Sequence, residues 1–516
     1  MHAPLPDAPY KASGVAIVFA VCLAALILPL SFSGGAVATP QIGRDLGGSA
    51  TSLTWITNAF MLTFGSLLMT AGALADQFGR KRVFLAGVGI FTFFSGLLSF
   101  APSILVVDLL RAAQGVGAAA ALAGGSAAMA QEFDGHARIR AFSMLGTTFG
   151  VGLAFGPMVA GFLSEALGWQ SIFVTSTLIG VVALGFGART LHETRDPDAT
   201  GLDWPGVLSF TAALSLFTFG VIQAPEAGWT HPLVLAPLAG ALASILVFIR
   251  VESRAARPML DLTLFRYPRF VGVQLLPVAT CYAYVVLLIL LPLRFIGVEG
   301  QTAIDAGVLM LALSAPMLVA PTLAVSLSRH VSPGVLSGFG LLVAAAGLVW
   351  LGRMTPADGA WIALPMLMIG AGAGAPWGLM DALSVTVVPK ERAGMASGIF
   401  NTTKVAGEGV ALAIVSAGLA GLSNHAVRGL GATGIADARL REIGARLVNG
   451  DLAHAVRLAP GVDRALLVQG YVEAFHTLTW ALAAITVLSA IAAFTLLGRI
   501  RAAEADGAAE AKASAS

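Results

Sequence analysis

Residues 62 to 98 read LTFGSLLMTAGALADQFGRKRVFLAGVGIFTFFSGLL. Two apolar runs flank the short charged segment DQFGRKR, residues 76 to 82. Each run, extended outward, supplies the ~20 mainly apolar residues that one α-helix needs to cross the hydrocarbon core of a bilayer. So short a connection folds the second helix back beside the first, with Arg80, Lys81 and Arg82 keeping the turn on the positive side of the membrane. The rest of the chain has the same character: of 516 residues, 57% are hydrophobic and 11% are charged, against roughly 25% charged in an ordinary soluble domain. That is the composition of an integral membrane protein. A net charge of +2 with no Lys/Arg block leaves no nucleic-acid footprint.

The same length test gives spans near 13–36, 52–75, 82–101, 104–130, 139–164, 169–188, 204–224, 233–250, 269–293, 303–327, 332–352, 360–388, 393–420 and 472–498, fourteen in all. Loop charges orient them. With the N-terminus cytoplasmic, the inside loops hold Arg80, Lys81, Arg82, Arg138, Arg140, Arg189, Arg195, Arg250, Arg254, Arg257, Arg266, Arg269, Arg329, Lys390 and Arg392, whereas the short outside loops hold Arg44, Arg294 and Arg353. Both termini are therefore expected in the cytoplasm. The long loop before the last span carries six arginines from Arg428 to Arg464, and long loops translocate largely regardless of charge. Within it, DARLREIGARLVNGDLAHAVRLA has an amphipathic, helical pattern. The N-terminal apolar run reads as a retained first helix, and RAAEADGAAEAKASAS as a disordered tail.

Gly72, Asp76, Gly79, Arg80 and Lys81 lie in the turn between the second and third helices, where Gly72 would allow close helix contact and Asp76 could accept hydrogen bonds from a neighbouring helix N-terminus. In this turn the chain resembles the major facilitator superfamily, whose signature there combines a glycine, an acidic position and Gly-Arg-Lys/Arg. LLRAAQGVGAA (109–119) resembles the fourth-helix motif of that family, with the embedded Arg111 followed by Gln114, Gly115 and Gly117. GLAFGPMVAG (152–161) resembles the fifth-helix motif of its exporters through Gly152, Gly156, Pro157 and Gly161, with Ala160 where glycine is usual. DWPG (203–206), with Gly228-Trp229 beyond it, resembles the region around the two added helices of the fourteen-helix drug:proton antiporter branch. The resemblance implies an all-α polytopic membrane protein with the major facilitator fold. Its parts would be an N-terminal six-helix bundle over 1–200, two additional linking helices over 201–260, a C-terminal six-helix bundle over 261–498 with a long extracytoplasmic loop at 421–470, and a cytoplasmic tail at 499–516. It also implies a secondary active transporter of the inner membrane that exports small amphipathic compounds by proton antiport through alternating access. An uptake or metabolite carrier of the same fold is the alternative, with a membrane receptor or enzyme as a third, different class.

One departure bears on coupling. The antiporter branch usually has an Asp and an Asn ahead of Ala-x-Pro in its first helix, but SFSGGAVATP (31–40) places Ser31 and Ala36 there. A first-helix carboxylate role does not carry over. The embedded carboxylates left are Glu408 and Asp381, in the thirteenth and twelfth spans, and Asp108, three residues before Arg111 on the same side of its helix. Lys404 and Arg111 are the embedded cations. Lys404 and Glu408, four residues apart, could neutralise each other, or Glu408 could be the main proton-responsive group with Lys404 as its counter-charge and Asp381 in second place.

Other signals are discounted. GAGAGA (370–375) lies inside a span with no preceding strand and no Lys-Ser/Thr, so it reads as helix packing instead of a phosphate loop. Asn401-Thr402-Thr403 has the glycosylation spelling but sits in a membrane helix. Cys22 and Cys281 read as packing residues. No metal, cofactor or catalytic grouping is expected. The expected partners are a small-molecule substrate, protons and the lipid bilayer, for a monomer with a periplasmic adaptor protein as a candidate partner and no nucleic acid.

Overall fold

The structure is a computed structural model and describes residues 12–133, 135–195, 203–255, 260, 262–328, 330–388, 393–429 and 435–498. Arg257, Arg329, Lys390, Arg392 and the tail at 499–516, all part of the sequence reading, lie outside the described residues. The elements are helices: α1 (Ala12–Leu46), α2 (Ala50–Phe78), α3 (Arg80–Leu98), α4 (Ile104–Glu132), α5 (Gly135–Leu167), α6 (Gln170–Thr190), α7 (Trp204–Ala227), α8 (Pro232–Glu252), α9 (Pro268–Thr280), α10 (Val286–Pro292), α11 (Ala303–Ser314), α12 (Pro316–Leu327), α13 (Pro333–Leu351), α14 (Ala363–Thr386), α15 (Ala393–Gly429), α16 (Asp437–Val448), α17 (Leu452–Leu458) and α18 (Arg464–Leu497). Among the described residues, thirteen helical spans, some joining two of these elements, are long and apolar enough to cross a membrane, fourteen when the bent α5 is one span. The bend in α5 measures 44° between Leu153 and Phe155. Pro157 explains it, because a proline offers no N–H to the carbonyl four residues back and its ring crowds that turn.

The ninth span departs most from a plain helix. It runs from Pro268 to Val298, and π-turns at Cys281–Val285 and Leu293–Val298 interrupt it on either side of α10. The second π-turn carries the helix past the expected end near 293 and takes Arg294 with it. Arg294 was expected in an outside loop; it is instead fully buried, over the ring of Phe475 at 4.7 Å and paired with Glu299 at 2.6 Å. The physical reason is the π register, which aligns residues five apart, and Glu299 N donates to Arg294 O at 2.9 Å in that pattern.

Close packing depends on small residues where helices cross. A Cβ on Gly117 would come within 2.5 Å of Phe91 N on α3, and one on Gly115 within 2.4 Å of Phe60 O on α2. The GAGAGA stretch behaves the same way: Gly370 abuts Leu313 O of α11, and a Cβ on Gly372 would sit 2.4 Å from Ala344 N of α13. Two regions meet across the molecule's middle, α2 against α15 at Gly65 and Ala406, and α5 against α11 at Gly161 and Ala303. α7 and α8 pack mainly on each other. α7 lies over α2 and α15, with Val221 and Ile222 clustered on Ala413 and Ala417, and Trp55 6.2 Å from the ring of Phe219. Asp203 caps its start by accepting from Gly206 N at 3.0 Å, and Gly228, at φ +93°, ends it. The DWPG and Gly-Trp signals are thus the two caps of α7. The amphipathic loop segment folds as α16 and α17, split at Asn449-Gly450.

Candidate functional site

Three groups of the anticipated residues can be located. The first is the turn between α2 and α3. Gly79 holds φ at +113°, and a Cβ there would meet Glu193 Oε1 at 2.2 Å, so both backbone and space demand glycine. Arg80 donates to Asp76 Oδ1 from Nε at 3.2 Å and from Nη2 at 3.0 Å, and Nη1 donates to Gln131 Oε1 at 2.7 Å on α4. Lys81 Nζ donates to Ala188 O at 2.9 Å, and Arg80 N to Thr194 O at 2.9 Å, which tie the turn to the end of α6. Asp76 was expected to accept from a neighbouring helix N-terminus; it accepts from the side chain of Arg80, the first residue of α3, across the Gly79 turn, and not from the backbone N–H groups of that helix. Gly72 was expected at a helix contact, but no atom lies within 4 Å of where its Cβ would be. The glycine that brings α2 and α4 together is Gly115, on α4, farther from the turn.

The second group surrounds Arg111, which has no exposed surface. Nε donates to Ile56 O at 2.8 Å, and Nη1 to Ser31 Oγ at 2.9 Å and Gln114 Oε1 at 2.5 Å. Gln114 Nε2 passes the chain on to Ser95 Oγ at 2.7 Å, which donates to Phe91 O. The guanidinium lies 4.4 Å over the Phe60 ring, a cation–π contact. Neutral oxygens and a ring face therefore hold this cation, and Ser31 supplies a hydroxyl where the resembling branch has a carboxylate. Asp108 shares the helix but makes no ion pair with Arg111, and its Oδ1 is buried without a hydrogen-bond partner.

The third group lies between α14, α15 and the ninth span. Lys404 Nζ sits 4.6 Å over the Trp377 ring and 3.9 Å from Asp381 Oδ2. Trp377 in turn faces Tyr284, with ring centroids 6.4 Å apart, and Cys281 Sγ is 4.0 Å from Lys404 O. The self-neutralised Lys404–Glu408 pair is thus not what forms. Side chains lean toward a helix's N-terminus, so Lys404 extends away from Glu408 and meets α14. Asp381 is 57% exposed and Lys404 14%, so the pair lies at an open edge of the packed helices. Glu408, half-buried one turn beyond, makes no hydrogen bond or ion pair among the described residues.

The fifth-helix motif packs on α1. A Cβ on Gly152 would meet Pro29 Cγ at 2.4 Å, and one on Gly156 would meet Ser33 Oγ at 2.4 Å. Gly161 does the same against Ala303 O of α11, so one motif contacts both parts of the chain. A wide cleft lined by Thr355, Asp463, Arg464, Glu473 and His476 opens elsewhere, away from all three groups. Sequence reading missed Ser95, Trp377 and the buried Arg294–Glu299 pair. Trp377 had a signal, an aromatic four residues before Asp381, but Arg294 had none, since π-turns leave no periodicity to read.

Spans of this number, with charged side chains buried inside them and small residues at the helix crossings, mark a polytopic membrane protein. The chain belongs to the Major Facilitator Superfamily, whose family model matches residues 21–412. The cephamycin export protein CmcT of Amycolatopsis lactamdurans is 34% identical over 404 residues, which are 76% of this chain and 82% of the relative. The multidrug resistance protein Stp of Mycobacterium tuberculosis is 30% identical over 386 residues, 74% and 72% of the two chains. The methylenomycin A resistance protein of Streptomyces coelicolor is 31% identical over 381 residues, 73% and 80%. In fold, the chain is similar to a bacterial homologue of the human lysosomal transporter Spinster, with TM-score 0.61 at 16% identity, covering 94% of this chain and 97% of the other. The protein is a multi-pass membrane transporter and not an enzyme.

Proposed function

We propose that this protein exports amphipathic small molecules, drugs or toxic metabolites, from the cell in exchange for protons, by rocking its two six-helix parts about a central site. The relatives named for export and resistance support the direction, and the arginine-rich turn between α2 and α3 supports placing that end, with both chain termini, in the cytoplasm. The parts are those read from the sequence: 1–200 and 261–498 as the two bundles, 201–260 as the linking pair, in a monomer of the inner membrane. The observation that carries proton coupling is Glu408. It is a carboxyl inside a span with no bonded partner, one turn from a cation already engaged by Asp381 and Trp377. A bare carboxylate there costs several kcal/mol, so its charge is tied to water, a proton or a cationic substrate arriving. Lys404 and Asp381 form the adjustable pair beside it, Asp108 is a second carboxyl able to load a proton near Arg111, and Ser31 cannot titrate in its place.

Growth inhibition by a panel of amphipathic antibiotics in an efflux-deficient host tests this reading. Expression should raise the inhibitory concentration of several compounds, and a protonophore should erase the gain. Resistance unaffected by the protonophore, or accumulation of the compounds in expressing cells, would defeat it.

A further inference from the structure

The first turn of α2 is held from two directions by parts of the chain that lie outside the twelve-helix frame. From α7, Glu226 Oε1 accepts from Thr51 N at 2.9 Å. From the α16–α17 insertion, Asn449 Nδ2 donates to Ala50 O at 2.9 Å and to Thr54 Oγ1 at 3.0 Å, while Thr54 Oγ1 stands 3.1 Å from Asn449 Oδ1. Asn449 is 5% exposed, unlike a residue of a free loop. Its neighbour Gly450, at φ +70°, is wedged between the two bundles. A Cβ on Gly450 would meet Leu293 O at 3.0 Å and Gly297 Cα at 3.1 Å on the ninth span, and Pro40 Cγ at 3.2 Å on α1. The wedge is stiff on its own side: Arg446 and Asp451, both nearly buried, pair at 3.0 Å across it, and Asp451 N donates to Arg446 O at 2.9 Å. The surface it rests on is the π-turn braced by Arg294 and Glu299.

We propose that Asn449-Gly450 and Glu226 together form the bolt of the extracytoplasmic gate. Asn449-Gly450 holds the α2 N-terminal turn and α1 against the ninth span, Glu226 ties the same turn to α7, and both must release for the carrier to open outward. Asn449 and Glu226 are positioning residues: neither touches the Lys404–Asp381–Glu408 group, and both act through the position of α2. The inference rests on the alternating access proposed above, but its readout is conformational and independent of any substrate. An insertion that merely folded on itself would bond within its own bundle; here the amide of Asn449 crosses to the other one.

The test uses the full chain in lipid nanodiscs, with Cys22→Ser and Cys281→Ala, and spin labels at Arg44→Cys and Arg464→Cys on the outer ends of α1 and α18. Electron paramagnetic resonance distances should show one short population. Asn449→Ala removes the crossing hydrogen bonds and should raise the share of a longer population roughly tenfold, as loss of one or two such bonds allows. Glu226→Gln should move it in the same direction by less. A second variant guards against simple misfolding: Thr54→Cys with Asn449→Cys, joined by a short bifunctional thiol reagent in a Cys22→Ser background that keeps Cys281, should keep impermeant fluorescent maleimide from reaching Cys281 from outside, and Asn449→Ala in the same background, whose one thiol is Cys281, should admit it. Unchanged distances in both substitution variants overturn the proposal, as does labelling of Cys281 at the same rate with the bolt cross-linked.

Discussion

The two polar groups inside the membrane are built differently. Arg111 is enclosed, with two of its three guanidinium nitrogens bonded to oxygens from α1, α2 and its own helix, and a ring beneath. Lys404 has one partner at 3.9 Å, a carboxylate more than half exposed, and its ring contact leaves the ammonium free to turn. Arg111 Nη2 is buried without a hydrogen-bond partner, but a buried charge held by backbone and side chains of three helices is a structural tie, because moving it would strand several polar atoms at once. A charge held by one long contact to a half-exposed partner can exchange that partner at low cost. In the proposed mechanism the N-terminal group is the anchor and the C-terminal group the part that changes state, which is where a carrier lacking the first-helix carboxylate would need its coupling.

The largest effect is expected at Arg111. Arg111→Met leaves Ile56 O, Ser31 and Gln114 without their donor, and removing one member of a buried charged cluster costs roughly 3 kcal/mol or more. The expected result is a lower thermal midpoint in detergent and little inserted protein, with transport lost as a consequence. Glu408→Gln should do the reverse: a near-isosteric change at an unbonded group leaves the midpoint where it was, while proton-driven export in inverted vesicles falls to the level of empty membranes. Unchanged coupling in Glu408→Gln would return that residue to a packing role. Asp381→Asn is expected between these, slowing export several-fold with the fold intact, since Lys404 keeps Trp377 but loses its counter-charge. If Asp381→Asn destabilised the protein as much as Arg111→Met, the loose group would prove to be an anchor as well.

What the sequence made legible follows from short-range physics. Apolar length marked the spans, and the glycine and basic residues marked the turn at Gly79; Asp203 and Gly228, noted in the sequence only for their resemblance, are caps of α7 in the structure. The amphipathic pattern before the last span folded as helices. What stayed hidden depends on contacts between distant segments or on local winding. Lys404 and Asp381 are 23 positions apart, and only the packing of α14 on α15 joins them, so the nearer Glu408 looked like the partner. Arg294 appeared to be a loop residue because a π-turn adds length without a signature. Gly72 fits the motif but faces open space, which shows that a matching letter does not fix a contact.

The smallest expected effect lies at Asp76, and it sharpens the distinction between tie and switch from a third place. Its pair with Arg80 is 3.0 Å long but lies at the surface, with the aspartate 44% exposed, and such pairs contribute ~1 kcal/mol or less. Arg80 retains Gln131 and the backbone of Thr194 in either case. Asp76→Asn should therefore leave folding and substrate affinity nearly unchanged and slow transport by about fivefold at most, the rate equivalent of that energy. Direct binding of a fluorescent panel compound, measured beside initial export rates, separates the two. A loss of binding with normal insertion would mean that the turn shapes the central site. A slower rate with binding preserved would mean that it contributes to the barrier between the two facing states, where a weak pair can matter because it is remade on every cycle.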